Sequence, residues 1–311
     1  MHWRVKAPVQ RVVGLLPMAE RVNYGLQVLN GSFRPDKTNP DYRRFLKRVA
    51  ALDRRIGIQG RVVLKIGAGW TAPGAFLLHL FGASTVYTYD LMNHVRFDLI
   101  QGLMGTLPVL IDEEESITHS MAGSLKMRLD RLMAAQELGS LLKLANIALK
   151  APADATRSGL PDNSVDLIFS HGVLEHVPEK VLEDLIRESK RILSPGGFAY
   201  HCVIPGDHFY QKGRGICTAN FLQYSDWAWR FWGCGRLNYQ TRLREKQYIN
   251  AFRSHGAAVE VVANRVDAEA VEAVRTMRLN PRFAGLSPEE LAVDVTELLY
   301  WFDTPARSAQ A

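Results

Sequence analysis

From residue 61 onward, short apolar and β-branched runs alternate with segments of helical periodicity. These runs predict six strands, at residues 62–66, 85–89, 146–150, 165–170, 198–203 and 259–263. Several are almost continuously apolar, as strands buried on both faces of a parallel sheet are. Residues 178–193 have apolar side chains at helical spacing. Strands joined by crossover helices predict an α/β fold with a doubly wound, mostly parallel sheet, while residues 293–302 fit either a helix or a last strand.

The charge of the chain is concentrated at its start. Residues 1–61 contain 13 Lys and Arg and 4 Asp and Glu, so this segment is +9 in a chain of net charge +6. We predict a basic helical extension at 1–60 and an α/β domain at 61–311, with insertions near 94–144 and 205–256. A basic surface can contact nucleic acid, anionic lipid or an acidic substrate, or be a solvated helix face.

Other classes of protein are disfavoured by composition. No apolar run approaches the roughly 18 residues of a membrane span, and no signal-peptide pattern opens the chain, so we expect a cytoplasmic protein. The cysteines Cys202, Cys217 and Cys234 lack the paired spacing of a zinc or redox motif, and we expect reduced, structural thiols. The sequence does not fix the oligomeric state.

A glycine turn follows the first predicted strand. In open α/β sheets, ligands bind beyond the carboxyl ends of the strands, where glycine lets the backbone approach the ligand. The glycines Gly67, Gly69 and Gly74 do not have the Gly-x-Gly-x-x-Gly spacing typical of dinucleotide binding. Asp90 ends the second strand 21 residues after Gly69, an offset at which an acid meets ribose hydroxyls. Its position fits NAD, another adenosine ligand, or a strand-end turn.

Further motifs follow in a fixed order. They are Asp154-Ala155, the turn Leu160-Pro161, Val173-Leu-Glu-His-Val177 and Leu193-Ser-Pro-Gly-Gly197. With the glycine loop and Asp90, this set resembles the class I S-adenosylmethionine-dependent methyltransferases over residues 60–205. The resemblance implies a Rossmann-like sheet of seven strands and S-adenosylmethionine as cofactor. The flanking segments resemble bacterial methyltransferases of surface-polysaccharide and related small-molecule pathways.

The resemblance also implies a role for each motif residue. The methionine part of the cofactor would lie against Gly67, Ala68 and Gly69. The ribose hydroxyls would bind Asp90, and the adenine amino group would bind Asp154 and the backbone of Ala155. His171 would lie over the cofactor.

Lys65 departs from the family pattern, which usually has Asp or Glu at this position. The family's acid helps to position the loop and the cofactor's ammonium group, and a lysine would bring a like charge there. We therefore expect either that the Lys65 side chain points away or that cofactor affinity falls.

A weakly acidic methyl acceptor needs a base as well as orientation. His208, directly after the fifth strand, is the favoured candidate, with His171 as the alternative. Glu175 and His176 resemble part of a magnesium site found in some methyltransferases, but Gly172 stands where those enzymes have a further Glu. We therefore predict no metal.

The function predicted is methyl transfer from S-adenosylmethionine to a small-molecule acceptor, such as a sugar or glycolipid hydroxyl. The aromatic and arginine-rich insertion at 205–256 is the candidate cap over the acceptor, although its rings could equally form a hydrophobic core. Residues 1–60 could contact an anionic membrane surface. The alternatives are a nucleic-acid methyltransferase, which we consider disfavoured, an NAD oxidoreductase, or a binding protein without activity.

Overall fold

A computed structural model describes residues 3–15, 19–210, 215–233, 235 and 239–302. Seven strands form one sheet in the order β3-β2-β1-β4-β5-β7-β6. The strands are β1 (Val62–Ile66), β2 (Thr85–Tyr89), β3 (Ile147–Lys150), β4 (Val165–His171), β5 (Leu193–Val203), β6 (Ala257–Val266) and β7 (Val293–Phe302).

The pairing of the strands confirms the predicted fold class. Strand β1 is parallel to both β2 and β4, with Val63 opposite Val86 and Leu167, and β2 is parallel to β3. Strands β6 and β7 pair antiparallel, so residues 293–302 are a strand. A mostly parallel seven-stranded sheet with one antiparallel pair is the Rossmann-like sheet that the resemblance implied.

Twelve α-helices are present among the described residues. They are α1 (Trp3–Gly14), α2 (Ala19–Leu29), α3 (Pro35–Ile56), α4 (Pro73–Leu80), α5 (Phe97–Glu113), α6 (His119–Met133), α7 (Leu138–Leu144), α8 (Glu179–Ile192), α9 (Asp226–Gly233), α10 (Glu245–Ser254), α11 (Ala268–Thr276) and α12 (Pro288–Leu291). The first predicted insertion thus contains α5, α6 and α7. Strand β5 begins five residues before the predicted start, directly after α8.

The chain divides into two compact units. The first unit comprises Asn30–His171 and Arg187–Ala199, and the second comprises Met1–Leu29, Gly172–Ile186 and Tyr200–Asp303. In the first unit, α3 contacts α4 and α5, and the core of β1 is formed by Val63 and Leu64, which are almost fully buried. The basic segment 1–60 is therefore divided, because α1 and α2 belong to one unit and α3 to the other.

The second unit has its own hydrophobic cluster, and most of the aromatic insertion lies in it. Phe209, Phe221 and Trp229 are buried there and pack against Phe283. Phe221 and Trp229 meet edge to face, with ring centroids 5.3 Å apart. Of the predicted thiols, Cys202 and Cys217 are buried, whereas Cys234 lies outside the described residues.

Candidate functional site

The glycine loop turns the chain sharply between β1 and α4. Gly67 and Gly69 have φ of 80° and 63°, a left-handed region that glycine enters without steric cost. Ala72 also lies in this region, at φ 45°, immediately before Pro73 starts α4. The loop is fixed to the next strand because Gly67 N donates to Tyr89 O at 2.7 Å.

Asp90 binds the loop from the end of β2. Its Oδ2 accepts hydrogen bonds from Ala68 N at 2.7 Å and Gly69 N at 3.2 Å, and Oδ1 accepts from Met92 N at 2.9 Å. An ionised carboxylate has about four lone-pair sites, so these three bonds leave acceptor capacity. The carboxylate thus orders two of the predicted cofactor residues and can still accept from a hydroxyl.

The adenine-side candidates lie next to the same strand end. Asp90 N donates to Lys150 O at 3.1 Å, and Ala153 N donates back to Asp90 O at 2.8 Å. Asp154 follows as the N-cap of a 3₁₀ turn at Ala155–Arg157, and its Oδ1 accepts from Thr156 N at 2.9 Å. These bonds bring the six predicted cofactor residues into one region of the first unit.

The Lys65 side chain is buried, and its amine donates hydrogen bonds to the glycine loop. The side chain is 3% exposed, and Nζ donates to Ile66 O at 2.7 Å and to Gly67 O. Burial lowers the pKa of Lys65 from 10.5 to about 7, although the negative charge of Asp90 acts in the opposite direction. The lysine therefore stabilises the loop from below, through carbonyls that an acidic side chain could not bind.

His171 is the last residue of β4 and stacks on Phe45 of α3, with ring centroids 3.8 Å apart. Its Nδ1 is buried without a hydrogen-bond partner among the described residues. Burial, followed by the positive charges of Arg48, Lys65 and Arg44, lowers the pKa of His171 to about 3. The ring is therefore neutral at physiological pH, and a base this weak removes a proton inefficiently.

His208 lies in the second unit, close to His176. The two ring centroids are 5.0 Å apart and the rings meet edge to face. His208 Nε2 is 3.2 Å from Ile204 O, and its backbone N donates to Gln240 Oε1 at 3.1 Å. His208 is exposed, so this histidine can be reached from solvent.

Glu175, which the sequence analysis considered with His176 as part of a magnesium motif, is buried in the second unit. It is 1% exposed, and burial raises its pKa to about 7. One ligand atom each of Glu175, His176 and His208 lies within 4.8 Å of the others. The sequence did contain a signal for this group, because Glu175-His176 follows β4 and His208 follows β5, the next strand along the chain.

The arginines of the predicted acceptor cap have structural partners. Arg242 Nη1 donates to Phe221 O at 3.2 Å and also to Tyr224 O. Arg244 is 1% exposed and donates to Pro205 O and Val293 O. These side chains hold main-chain carbonyls in place, so the geometry supports the core interpretation of this part of the insertion.

Comparison with known families gives one match within the chain. Residues 130–201, which run from α6 through most of β5, match the family model described as a methyltransferase domain. This match covers the third and fourth strands and the motifs between them, in the sheet order given above. This part of the chain is therefore similar to a methyltransferase domain. Comparison of the sequence with curated proteins gives no match.

Solved structures of similar fold are distant from this chain in sequence. An S-adenosylmethionine-dependent methyltransferase from Mesorhizobium loti is 18% identical, with 78% of this chain and 91% of that chain covered and a TM-score of 0.41. A second, from Methanosarcina mazei, is 14% identical, with coverage of 81% and 96% and a TM-score of 0.45. The phosphoethanolamine N-methyltransferase 2 of Haemonchus contortus, complexed with phosphomonomethylethanolamine and S-adenosylhomocysteine, is 16% identical, with coverage of 81% and 51% and a TM-score of 0.43.

The match to a methyltransferase domain supports the predictions that the chain is an enzyme, that its reaction is methyl transfer and that S-adenosylmethionine is its cofactor. The same match disfavours the NAD oxidoreductase alternative. Within the described ranges, no helix combines the length and the apolar character needed to cross a membrane.

Proposed function

We propose that this chain is an S-adenosylmethionine-dependent methyltransferase that methylates a hydroxyl of a small molecule, a sugar or glycolipid, in the cytoplasm. The cofactor supplies the activated leaving group, a sulfonium, so the protein has to orient the acceptor and accept its proton. The observation that carries the cofactor part of the proposal is the bonding of Asp90 to the glycine loop on one side and to Ala153 on the other.

In this proposal each cofactor residue binds the cofactor through a backbone group or carboxylate that the described fold already holds in position. Gly67, Ala68 and Gly69 bring the backbone against the methionine part. The remaining acceptor capacity of Asp90 binds the ribose hydroxyls. The adenine amino group binds Asp154, whose Oδ1 already bonds Thr156, together with the backbone of Ala155.

The test is a calorimetric titration of the full chain with S-adenosylmethionine and with S-adenosylhomocysteine. We expect saturable binding that Asp90→Ala weakens at least tenfold, because this change removes the ribose acceptor and releases two loop amides. The matched control is Asp98→Ala, an exposed aspartate of α5 that pairs only loosely with Arg96. Absence of binding to the folded wild-type chain, or equal affinity of both variants, would refute these residue roles.

For the acceptor proton, His208 is better suited than His171. His208 is exposed on the loop after β5, whereas the pKa of His171, near 3, makes that ring a weak base. Once an acceptor is known, His208→Gln is expected to lower kcat with little change in cofactor affinity. An unchanged kcat would exclude His208 as the base.

A glycolipid acceptor is supported by apolar side chains exposed on α1, at Leu15 directly after α1, and on α9. Val12 and Leu15 are 63% and 81% exposed, and Trp227 and Phe231 are 80% and 47% exposed. Arg11 joins the two helices, since its Nη1 donates to Phe231 O at 2.9 Å. Exposed apolar and aromatic residues beside a basic one are typical of protein surfaces that lie in a membrane interface.

We therefore include in the proposal a peripheral contact with an anionic membrane through this surface. Co-sedimentation with phosphatidylglycerol vesicles at low salt is expected for the wild type and strongly reduced for a Leu15→Ser, Trp227→Ser double variant. Val109→Ser, which removes an exposed apolar residue of α5, is the matched control. No sedimentation of the wild type would rule out the contact while leaving the methyl-transfer proposal standing.

A nucleic-acid acceptor gains no support from the basic helix α3. Among its exposed arginines, Arg43 pairs with Glu113 and Arg44 with Asp41. Arg54 donates to Ser116 O at 3.0 Å. Arginines engaged in this way are typical of a solvated helix face.

A further inference from the structure

Three side chains of the second unit converge on one point. Glu175 and His176 belong to a 3₁₀ turn at Leu174–His176, and His208 comes from the loop after β5. One ligand atom from each lies within 4.8 Å of the other two. A carboxylate and two imidazoles at this separation can reach a single metal ion.

The hydrogen bonds of the two histidines indicate which ring nitrogen of each carries the proton. His176 Nδ1 lies 2.7 Å from Tyr239 O, and His208 Nε2 lies 3.2 Å from Ile204 O. A carbonyl accepts only, so each of these nitrogens carries the proton. The lone pairs are then on His176 Nε2 and His208 Nδ1. Metal-binding histidines characteristically donate their other ring N–H to a carbonyl or carboxylate in this way.

Glu175 provides the second, independent observation. The side chain is 1% exposed, and neither Oε1 nor Oε2 has a well-formed hydrogen bond among the described residues, although the backbone N–H groups of Glu175 and Ile204 act on the carboxylate and lower its pKa. Burial of a poorly hydrogen-bonded polar group is costly, and the cost is removed when a cation binds it. Nothing in the transfer reaction described above uses this carboxylate.

The surroundings hold the three side chains in position. Thr241 N donates to Glu175 O at 2.8 Å, and Gln240 Oε1 accepts from His208 N at 3.1 Å. Tyr239 O also lies 2.7 Å from His176 Nδ1, so the segment 239–241 contacts Glu175, His176 and His208. His176 and His208 are exposed, so an ion and its water ligands can reach the group from solvent.

We propose that Glu175, His176 and His208 bind one divalent transition-metal ion. Two imidazoles and one carboxylate form a ligand set suited to Zn²⁺, which commonly keeps its remaining position for water. Mg²⁺ prefers oxygen ligands and is expected to bind much more weakly. This replaces the prediction of no metal, which counted ligands within 172–176 alone, whereas His208 supplies the third from another loop.

The proposal also constrains the role of His208. A histidine whose Nδ1 lone pair is on a metal cannot use that lone pair as a general base. The base role proposed above therefore applies to His208 only in the metal-free chain, and in the metal-loaded chain His208 is a ligand. A metal titration performed without any cofactor decides between these two states of the chain.

The experiment is a calorimetric titration of the chelator-treated full chain with ZnCl₂, followed by Co²⁺ absorption spectroscopy. We expect one Zn²⁺ per chain, visible Co²⁺ bands typical of nitrogen and oxygen ligands, and no comparable affinity for Mg²⁺. Glu175→Gln and His208→Gln should each weaken Zn²⁺ binding at least tenfold. His119→Gln, an exposed histidine at the start of α6, is the matched control and should have no effect.

Circular dichroism melts establish that each variant is folded, and His208→Gln changes only an exposed side chain. Absence of saturable Zn²⁺ binding to the folded wild type would overturn the proposal. Equal affinity of the wild type, Glu175→Gln and His208→Gln would overturn it as well. Because the titration contains no S-adenosylmethionine, its outcome is independent of whether the proposed cofactor residues are correct.

Discussion

Replacement of Lys65 by Met should change how the stability of the chain depends on pH. The amine of Lys65 is buried beneath the glycine loop, and its pKa falls from 10.5 to about 7 because of that burial. The unfolded chain exposes the same amine to water, where the ordinary pKa applies. Between these two values the unfolded chain binds more protons at Lys65 than the folded chain does, so stability rises with pH.

The magnitude follows from the two pKa values. Their difference corresponds to ~5 kcal/mol of unfavourable free energy when the amine is protonated in both states. This contribution is fully present below about pH 7 and is gone above the ordinary pKa. Between about pH 7 and about pH 9 the wild type should regain about 2 kcal/mol relative to Lys65→Met, a difference of a few degrees in Tm.

The assay is chemical denaturation of the wild type and of Lys65→Met at a series of pH values. Loss of the Nζ donor leaves the carbonyls of Ile66 and Gly67 unsatisfied, but this cost is the same at every pH. Lys143→Met, which removes an exposed lysine of α7, is the control for the general effect of a lost charge. A difference between wild type and Lys65→Met that stays constant from pH 7 to pH 9 would refute the reasoning.

Three further substitutions test the packing. Gly74→Ala places a Cβ 2.5 Å from the Lys65 Cε, so we expect a loss of about 1–3 kcal/mol in thermal denaturation, and a second change, Lys65→Ala, removes the clashing Cε and Cδ and should make Gly74→Ala nearly neutral. Arg244→Met leaves two buried carbonyls without donors and should cost about 2 kcal/mol or more, measured by denaturant unfolding; a neutral result would mean that water replaces the guanidinium. Gly197→Ala brings a Cβ within 2.9 Å of a main-chain oxygen and should lower Tm, whereas Gly123→Ala, in open space on α6, should not.

The strands could be predicted because a strand buried on both faces is an almost continuous run of apolar and β-branched residues. Strands β1, β2 and β4 begin where predicted, and the turn chemistry at Ser194–Gly197 marks the end of α8. Strand β7 could not be distinguished from a helix, since an apolar run of ten residues fits either period. Residues 293–302 form a strand because they pair with β6, and this pairing joins segments that are far apart in the sequence.

The site was harder to predict because its key contacts join distant segments. The motif order located Asp90, but its bonds to Ala68 and Gly69 depend on how β1 and β2 align. The grouping of Glu175 and His176 with His208 depends on two separate loops. A count of metal ligands within residues 172–176 does not include His208, because the spacing of residues within one segment does not show which residues of another loop lie nearby.

Lys65 and Asp90 divide the hydrogen-bonding groups of the glycine loop between them. Lys65 Nζ binds the carbonyls of Ile66 and Gly67, and the Asp90 carboxylate binds the amides of Ala68 and Gly69. The Asp90 carboxylate occupies the position that the resemblance gives it, and its negative charge acts to raise the pKa of the lysine. Restoring the family's acid at position 65 would leave two carbonyls without a donor and place two carboxylates beneath one loop.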